Sequence, residues 1–455
     1  MKETADVLKD LAQPWHLQIQ SSSPLVARVE KASARIDRAR AKKDLEQLQR
    51  KRELLPVREV ATLVTVTPWD VLHNLARGTV LARQGAGRGV GEHWGCLKYC
   101  QALGNDGGFL TLSEEGQDPK RHYRAVQSGE LSVGFTLAVV KRVLAERYPG
   151  HAISVVDADV ALQAGWALTA AQARQKAKDV QGIWTRHRPH FFVELWKAGE
   201  PSRVVLIACK GNHSRRSTVS NQLSTASSHL ESVQIGPWNA VSGLVTSVEL
   251  LSKAGLVLHI LEAPGDGTLY GTRPITNLRS GPEQQNLPTG TRVSRGPGDP
   301  PASLSGYQVK PDEYDWFRDV LARTDAAALM AFAGVGASTA QYLTERQGKA
   351  RFERFTHAGT GVIRDIDHTI HGIKFLGTDH VFRLNGCRVE AFSGFAEDLF
   401  EHLAARRIRE YREALPIWNT KLPKDPEASE WDGPISIHPD GSILAIRQLS
   451  EARRR

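Results

Sequence analysis

The sequence predicts a mixed α/β chain (α+β in its C-terminal part), and three observations carry that expectation. Segments with 3.6-residue apolar periodicity alternate with short β-branched runs along most of the length. Two such runs, HFFVELW at 190–196 and RVVLIAC at 203–209, are separated only by KAGEPS, which makes them an antiparallel hairpin. A Pro/Gly/Ser-rich stretch, 279–310, breaks the pattern and divides a central α/β region from a C-terminal α+β one.

Composition sets the outer bounds. The 455 residues are 41% hydrophobic and 24% charged, enough apolar content for a sizeable core in a multidomain chain. Lys and Arg total 59 against 50 Asp and Glu, and the formal charge of +9 favours anionic partners. Four cysteines (Cys96, Cys100, Cys209, Cys387) are too few for a disulfide-stapled secreted scaffold. No apolar run approaches the ~20 residues of a membrane span, and the start lacks the apolar stretch of a signal peptide. A cytoplasmic protein with no membrane partner is the expectation. Abundant Arg and Ala beside only 2 Met fit high-GC bacterial coding.

Residues 1–60 form a charged helical N-terminal region. From Leu25 to Leu55 the chain has good helix formers and almost no breakers, until Pro56 stops it. Arg28 to Arg58 holds eleven basic residues against five acidic ones. Such a helix commonly packs on its own domain by a narrow stripe. It can also track a phosphate backbone, or join copies of the chain through residues 25–55. Residues 61–126 form a small α/β region. It has a strand in VATLVTV, a helix capped by Thr67 with Pro68 in its first turn, a flexible GAGRGVG loop at 85–91, and a hairpin within 103–120.

Residues 127–278 are expected to fold as one α/β domain. A helix runs from Ser128 to Arg147 and ends at Tyr148-Pro149-Gly150. A strand follows in AISVVDADV, then a helix in TAAQARQKAKDV, then the hairpin, a helix from about Ser217, and a strand in GLVLHILEA at 255–263. Residues 311–415 form a C-terminal α+β domain, with helices over 312–334, 337–355 and 394–414 and strands over 360–366, 371–377 and 380–392. Residues 416–455 read as a mostly irregular tail, with a small hairpin around Pro439-Asp440-Gly441.

The central hairpin and its flanks carry a recognisable spacing. Pro189-His190 opens one strand, Ala208-Cys209-Lys210 ends the next, and Gln222 follows on a helix. This resembles the PD-(D/E)XK nuclease superfamily, with its restriction-endonuclease-like core. In that superfamily an acid stands early in one hairpin strand, acid-x-Lys ends the other, and a following helix often carries Gln. Two carboxylates hold Mg²⁺ or Mn²⁺, and the Lys orients the attacking water. The resemblance implies Lys210, His190, Glu130, Glu194 and Gln222 as catalytic residues, with Glu130, Asp157 and Glu194 left to hold metal. Two positions depart from the pattern: His190 stands where Asp is usual and Ala208 where Glu or Asp is usual. The loop after Lys210, GNHSRRS, places His213, Arg215 and Arg216 before a helix N-terminus, a setting suited to phosphate.

Three other groupings can bind metal or serve as plain structure. Asp365, Asp367, His368, His371, Asp379 and His380 crowd one segment, at no spacing typical of a metal site, and read as strand-end residues. His93, Cys96 and Cys100 lie within eight residues, but no second ligand pair follows at zinc-finger spacing. Cys209 alternates with Ala208 inside an apolar strand and reads as a packing residue. Trp184, Trp196 and Trp238 are core anchors, or else platforms for stacked bases.

The functional expectation is therefore a DNA- or nucleic-acid-binding protein with a nuclease-like domain. It is either a metal-dependent endonuclease (a hydrolase) with a divergent site, or a non-catalytic scaffold that keeps the fold.

Overall fold

The computed structural model describes residues 2–43, 53–82, 91–164, 188–213, 216–236, 241–251, 255–271, 273–275, 277, 307–354, 366–423 and 431–449. The fold is mixed α/β: one large mixed sheet, one smaller antiparallel sheet, and helices between and outside them. Residues 85–90 of the GAGRGVG loop, the 169–180 helix, Trp184, Trp238, Arg215, Asp365 and the 279–306 stretch lie outside the described residues.

The chain begins with α1 (Thr4–Ala12), β1 (Trp15–Gln20) and α2 (Ser23–Ala41). Next come β2 (Leu63–Val66), α3 (Pro68–Thr79), a 3₁₀ turn at Glu92–Tyr99, β3 (Leu103–Asp106), β4 (Phe109–Leu112) and α4 (Glu114–Gln117). The central part runs α5 (Arg121–Arg147), β5 (Ala152–Asp157), α6 (Ala158–Gln163), β6 (Phe191–Trp196), β7 (Ser202–Asn212) and α7 (Arg216–Glu231). It continues through β8 (Val233–Ile235), β9 (Gly243–Glu249), β10 (Val257–Ala263) and β11 (Thr268–Leu269). The C-terminal part holds β12 (Tyr307–Val309), α8 (Tyr314–Phe332), α9 (Gly336–Tyr342), α10 (Lys349–Arg354), β13 (Ile366–Ile370), β14 (Ile373–Leu384) and β15 (Cys387–Ala396). It ends with α11 (Glu397–Ala404), α12 (Ile408–Asn419), β16 (Ile435–Ile437) and β17 (Ser442–Gln448).

The large sheet has the order β3-β4-β1-β10-β9-β7-β6-β5, with β2 on β1 and β11 on β7. The predicted hairpin is there: β6 pairs antiparallel with β7, from Phe191 opposite Ile207 to Leu195 opposite Arg203. Strand β9 lies parallel to β7, which requires a crossover, and α7 supplies it. Strand β9 is not legible in the sequence, because its stretch, GLVTSVE, carries no clean alternation. It is buried at every position, as a central strand should be.

Helices cover both faces of this sheet. Val205, Ile207 and Cys209 of β7 share a core with Leu131, Phe135 and Val139 of α5. Val204, Leu206 and Ala208 share the opposite core with Val219 and Leu223 of α7 and with Leu25 and Val29 of α2. Thr67 caps α3, its hydroxyl accepting the Asp70 N–H at 3.0 Å. Close approach of α3 to α5 depends on Gly134, where a Cβ would stand 2.5 Å from the Val71 carbonyl oxygen.

Residues 1–60 and 61–126 do not stand apart from the core. Strand β1 sits between β4 and β10, and β2 pairs with β1. The charged helix extends as α2 to Ala41, and its apolar stripe (Leu25, Val29, Ala32) is buried within the chain. Those three positions are thus covered within the chain, while residues 44–52 of the 25–55 segment lie outside the described residues. The tail is likewise structural: β17 pairs with β15 inside the antiparallel sheet β13-β14-β15-β17-β16. The helix expected over 394–414 is two helices, because Arg406 between them has φ 61°. The first core cluster runs without a break from α5 through α8 to Phe392 and Ile446 of this second sheet. No helix among the described residues is long and apolar enough to cross a membrane.

Candidate functional site

Strand alternation decides what stands beside Lys210. Ala208 and Lys210 are two residues apart and so share one side of β7, the side covered by α7. Cys209 points the other way, toward Ser132 of α5, and burial raises its thiol to about 12. It is a buried packing residue. Gly211 then lets β7 run hard against α5, since a Cβ there would stand 2.0 Å from the Ser128 carbonyl oxygen.

His190 is fixed to the same end of β7. Its N–H donates to the Ile207 carbonyl at 2.7 Å, and its Nδ1 accepts the Cys209 N–H at 3.2 Å. An Nδ1 that accepts leaves the proton on Nε2, so the ring is neutral. Burial, then Lys210 and His229, lower its pKa to about 3. His229 of α7 stacks on it, with ring centres 5.8 Å apart and planes within 6°. The His229 Nδ1 is held 2.8 Å from the Arg188 carbonyl. Arg188 itself pairs with Asp159. Lys210 has no ion-pair partner among the described residues, and burial lowers its pKa.

Gln222 bridges the ends of two strands. It accepts from Asn212 at 2.7 Å and from Ser247 at 2.6 Å, and donates to the Gly211 carbonyl at 2.9 Å. It therefore positions the β7 terminus. His213, next along, has both ring nitrogens buried without a hydrogen-bond partner among the described residues, and burial with nearby Arg124 lowers its pKa. Arg216 opens α7, and its side chain lies outside the described residues.

The three proposed metal ligands are not brought together. Glu130 sits on α5, across the sheet from Lys210, where Tyr99 donates to it at 2.6 Å and Lys98 pairs with it at 2.6 Å. Asp157 pairs in register with Phe191, whose ring belongs to the α5 core, so its carboxylate lies off the Lys210 side. It caps α6 through the Val160 N–H at 3.0 Å, and burial lifts its pKa to about 6. Glu194 is fully buried and paired with Arg412 at 2.6 Å, which leaves no face for a cation or a catalytic role. No group of three or more His, Cys, Asp or Glu is placed to hold a metal ion among the described residues. The carboxylates present do not fit a Mg²⁺ or Mn²⁺ centre beside Lys210.

The other groupings are structural where they are described. Asp367 pairs with Lys374 at 3.4 Å, and His368 packs edge-on against Phe392 and Trp431. His93 bonds Ser393 at 2.9 Å, and Cys96 and Cys100 are buried free thiols. Trp196 donates to Ser154 at 3.0 Å inside the core, as an anchor should.

Two features of the site were missed in the sequence. His229 lies seven residues beyond Gln222, two helical turns along one face, so the spacing held the signal. The second is a row on α2. Arg28, Lys31, Arg35 and Arg38 are all exposed, and their 3-4-3 spacing sets them on one side of the helix. Glu30 and Asp37 fall on another side. Arg35 donates to Asn221 at 2.7 Å, so the row runs alongside α7, next to the residue that straps Lys210's strand. Comparison of the chain with family models, curated proteins and solved structures gives no match.

Proposed function

We propose that the chain binds nucleic acid through the layer formed by α2 and α7. On this reading the central domain is nuclease-like, of the PD-(D/E)XK kind, and serves for binding without metal-dependent cleavage. One observation carries it. The exposed row Arg28–Lys31–Arg35–Arg38 and Lys210, which has no ion-pair partner among the described residues, belong to the same side of the sheet, joined through Arg35–Asn221 and Gln222–Gly211. A row of cations on one helical face neutralises successive phosphates, and a free ammonium at its end adds another contact. The nuclease-like part of the reading is supported by the order α5, β6–β7 hairpin, α7, with Lys210 and Gln222 at matching places. A cytoplasmic location goes with a nucleic-acid partner, supported by four free cysteines.

The test is a paired mobility-shift and cleavage assay with Mg²⁺ and Mn²⁺, on wild type and Lys210→Ala. Salt-sensitive binding that weakens in Lys210→Ala, without cleavage, is the expected result. Cleavage that needs Lys210 would restore the endonuclease reading. Absence of binding at low salt would remove both and leave a non-catalytic scaffold.

A further inference from the structure

A cavity of about 350 Å³ opens on the other side of the large sheet, between α3, α5, α12 and the β16–β17 hairpin. That volume is in the range of small-ligand pockets. Asp70, Asn74, Lys141, Arg142, Asn419 and His438 line it. Lys141 Nζ lies 3.3 Å from His438 Nδ1, and His438 Nε2 lies 3.0 Å from Asp70 Oδ1. The ring of His438 is stacked on His73, with centres 3.6 Å apart. The chain of bonds reads in one direction. Lys141 donates to Nδ1, and Nε2–H donates to the carboxylate, so the histidine is neutral and clamped. This uses one N–H of Lys141. No carboxylate among the described residues lies within ion-pair distance of its ammonium. Asp440, the second acid of the lining, already pairs with Arg77 at 3.2 Å.

Two residues of the lining also carry orphan acceptors. Asn74 is only 2% exposed, yet its Oδ1 has no hydrogen-bond partner among the described residues. Asn419 Oδ1, on α12, is buried and lacks one among the same residues. Buried amide oxygens left unpaired are costly, so two in one lining are acceptors that a ligand's donors would satisfy. The lining thus offers a held ammonium with spare N–H groups, a guanidinium at its mouth (Arg142), and two carbonyl acceptors.

We propose that this cavity is a second site, which binds a small organic anion bearing hydroxyl or amine donors. The phosphate or carboxylate group sits against Lys141 and Arg142, and the donors reach Asn74 and Asn419. The site is separate from the nucleic-acid layer and does not rest on that reading.

The experiment is a thermal-shift and calorimetric titration of the full chain, at constant ionic strength. The probes are glycerol 3-phosphate and glycerate, which share hydroxyl donors and differ in the anionic group. A saturable rise in melting temperature with either is expected, and the stronger of the two identifies the anion. Lys141→Met should abolish it. Asn419→Ala should weaken it at least about fivefold, the loss of one hydrogen bond. No saturable shift with either probe would overturn the proposal, as would unchanged binding in Lys141→Met. Should Lys141→Met not fold, unchanged binding in Asn419→Ala decides against it.

Discussion

Arg412 of α12 grips Glu194 of β6 with both guanidinium arms, Nη2 to Oε2 at 2.6 Å and Nη1 to Oε1 at 3.2 Å. The carboxylate is wholly buried, and the guanidinium lies 4.6 Å from the Trp196 ring centre. The pair ties the large sheet to the C-terminal helices. Removing one partner strands the other charge in the interior, which costs about 3–5 kcal/mol. Arg412→Met should therefore lower the denaturant midpoint sharply. Adding Glu194→Leu should recover most of the loss, since two apolar side chains replace a desolvated pair. A double variant no better than Arg412→Met would show that the pair is not the source of the cost.

The hairpin, the Thr67 cap and the turn at Tyr148-Pro149-Gly150 were legible because each is local chemistry. A β-branched run, a hydroxyl acceptor and a glycine at φ 77° need no distant partner. Strand β1 was hidden inside a region read as helical, because six residues, WHLQIQ, make a strand only when β4 and β10 stand on either side. At the site, Lys210, His190 and Gln222 were legible from spacing along β6, β7 and α7. Glu130 was misplaced because sequence separation does not say which side of a sheet a carboxylate faces, and Glu194, which shares the Lys210 side by register, because spacing does not show a buried partner. Only register and packing show that one meets Lys98 and the other Arg412. The cavity was invisible in the sequence, since Asp70 and His438 are 368 positions apart.

The basic row on α2 should set the salt dependence of nucleic-acid binding. Each phosphate contact contributes about 0.9 to the slope of log K against log salt for duplex DNA. Arg28→Ala with Lys31→Ala should reduce the magnitude of that slope by about 2, measured by fluorescence anisotropy across a salt series. Both side chains are exposed, so the melting temperature should stay unchanged. Glu30→Ala, on a different face, should leave the slope as it is. A slope unchanged in the double variant would take α2 out of the interface.

His190 should make the protein sensitive to mild acid. Its folded pKa of about 3 lies below the ordinary value of 6.5, because burial beside Lys210 and His229 disfavours the imidazolium. Between those values the unfolded chain binds a proton that the folded chain does not, so stability falls as pH falls. The loss begins near pH 6.5 and continues down to about pH 3. From pH 6.5 to 5.0 wild type should lose about 2 kcal/mol more than His190→Asn, whose amide oxygen can still accept from Cys209. Parallel stability curves for the two proteins would mean that His190 takes up its proton in the folded state.

Ala208 is the position where a metal-holding acid is missing, and its surroundings make that absence structural. It is 0% exposed, and Leu206, Val219 and Leu223 belong to the same apolar cluster. Lys210 stands two residues further on, near the end of β7, where the strand is only partly buried. A glutamate at 208 would enter the cluster with no donor to meet it, and burial would hold it protonated. Ala208→Glu should therefore cost several kcal/mol and lower the melting temperature. It should also leave Mg²⁺-dependent cleavage at background, because Glu130 and Glu194 stay on their distant partners. A stable Ala208→Glu protein that cuts DNA with Mg²⁺ would mean that the apolar cluster can open to admit a cation, and that only the missing acid keeps the site silent.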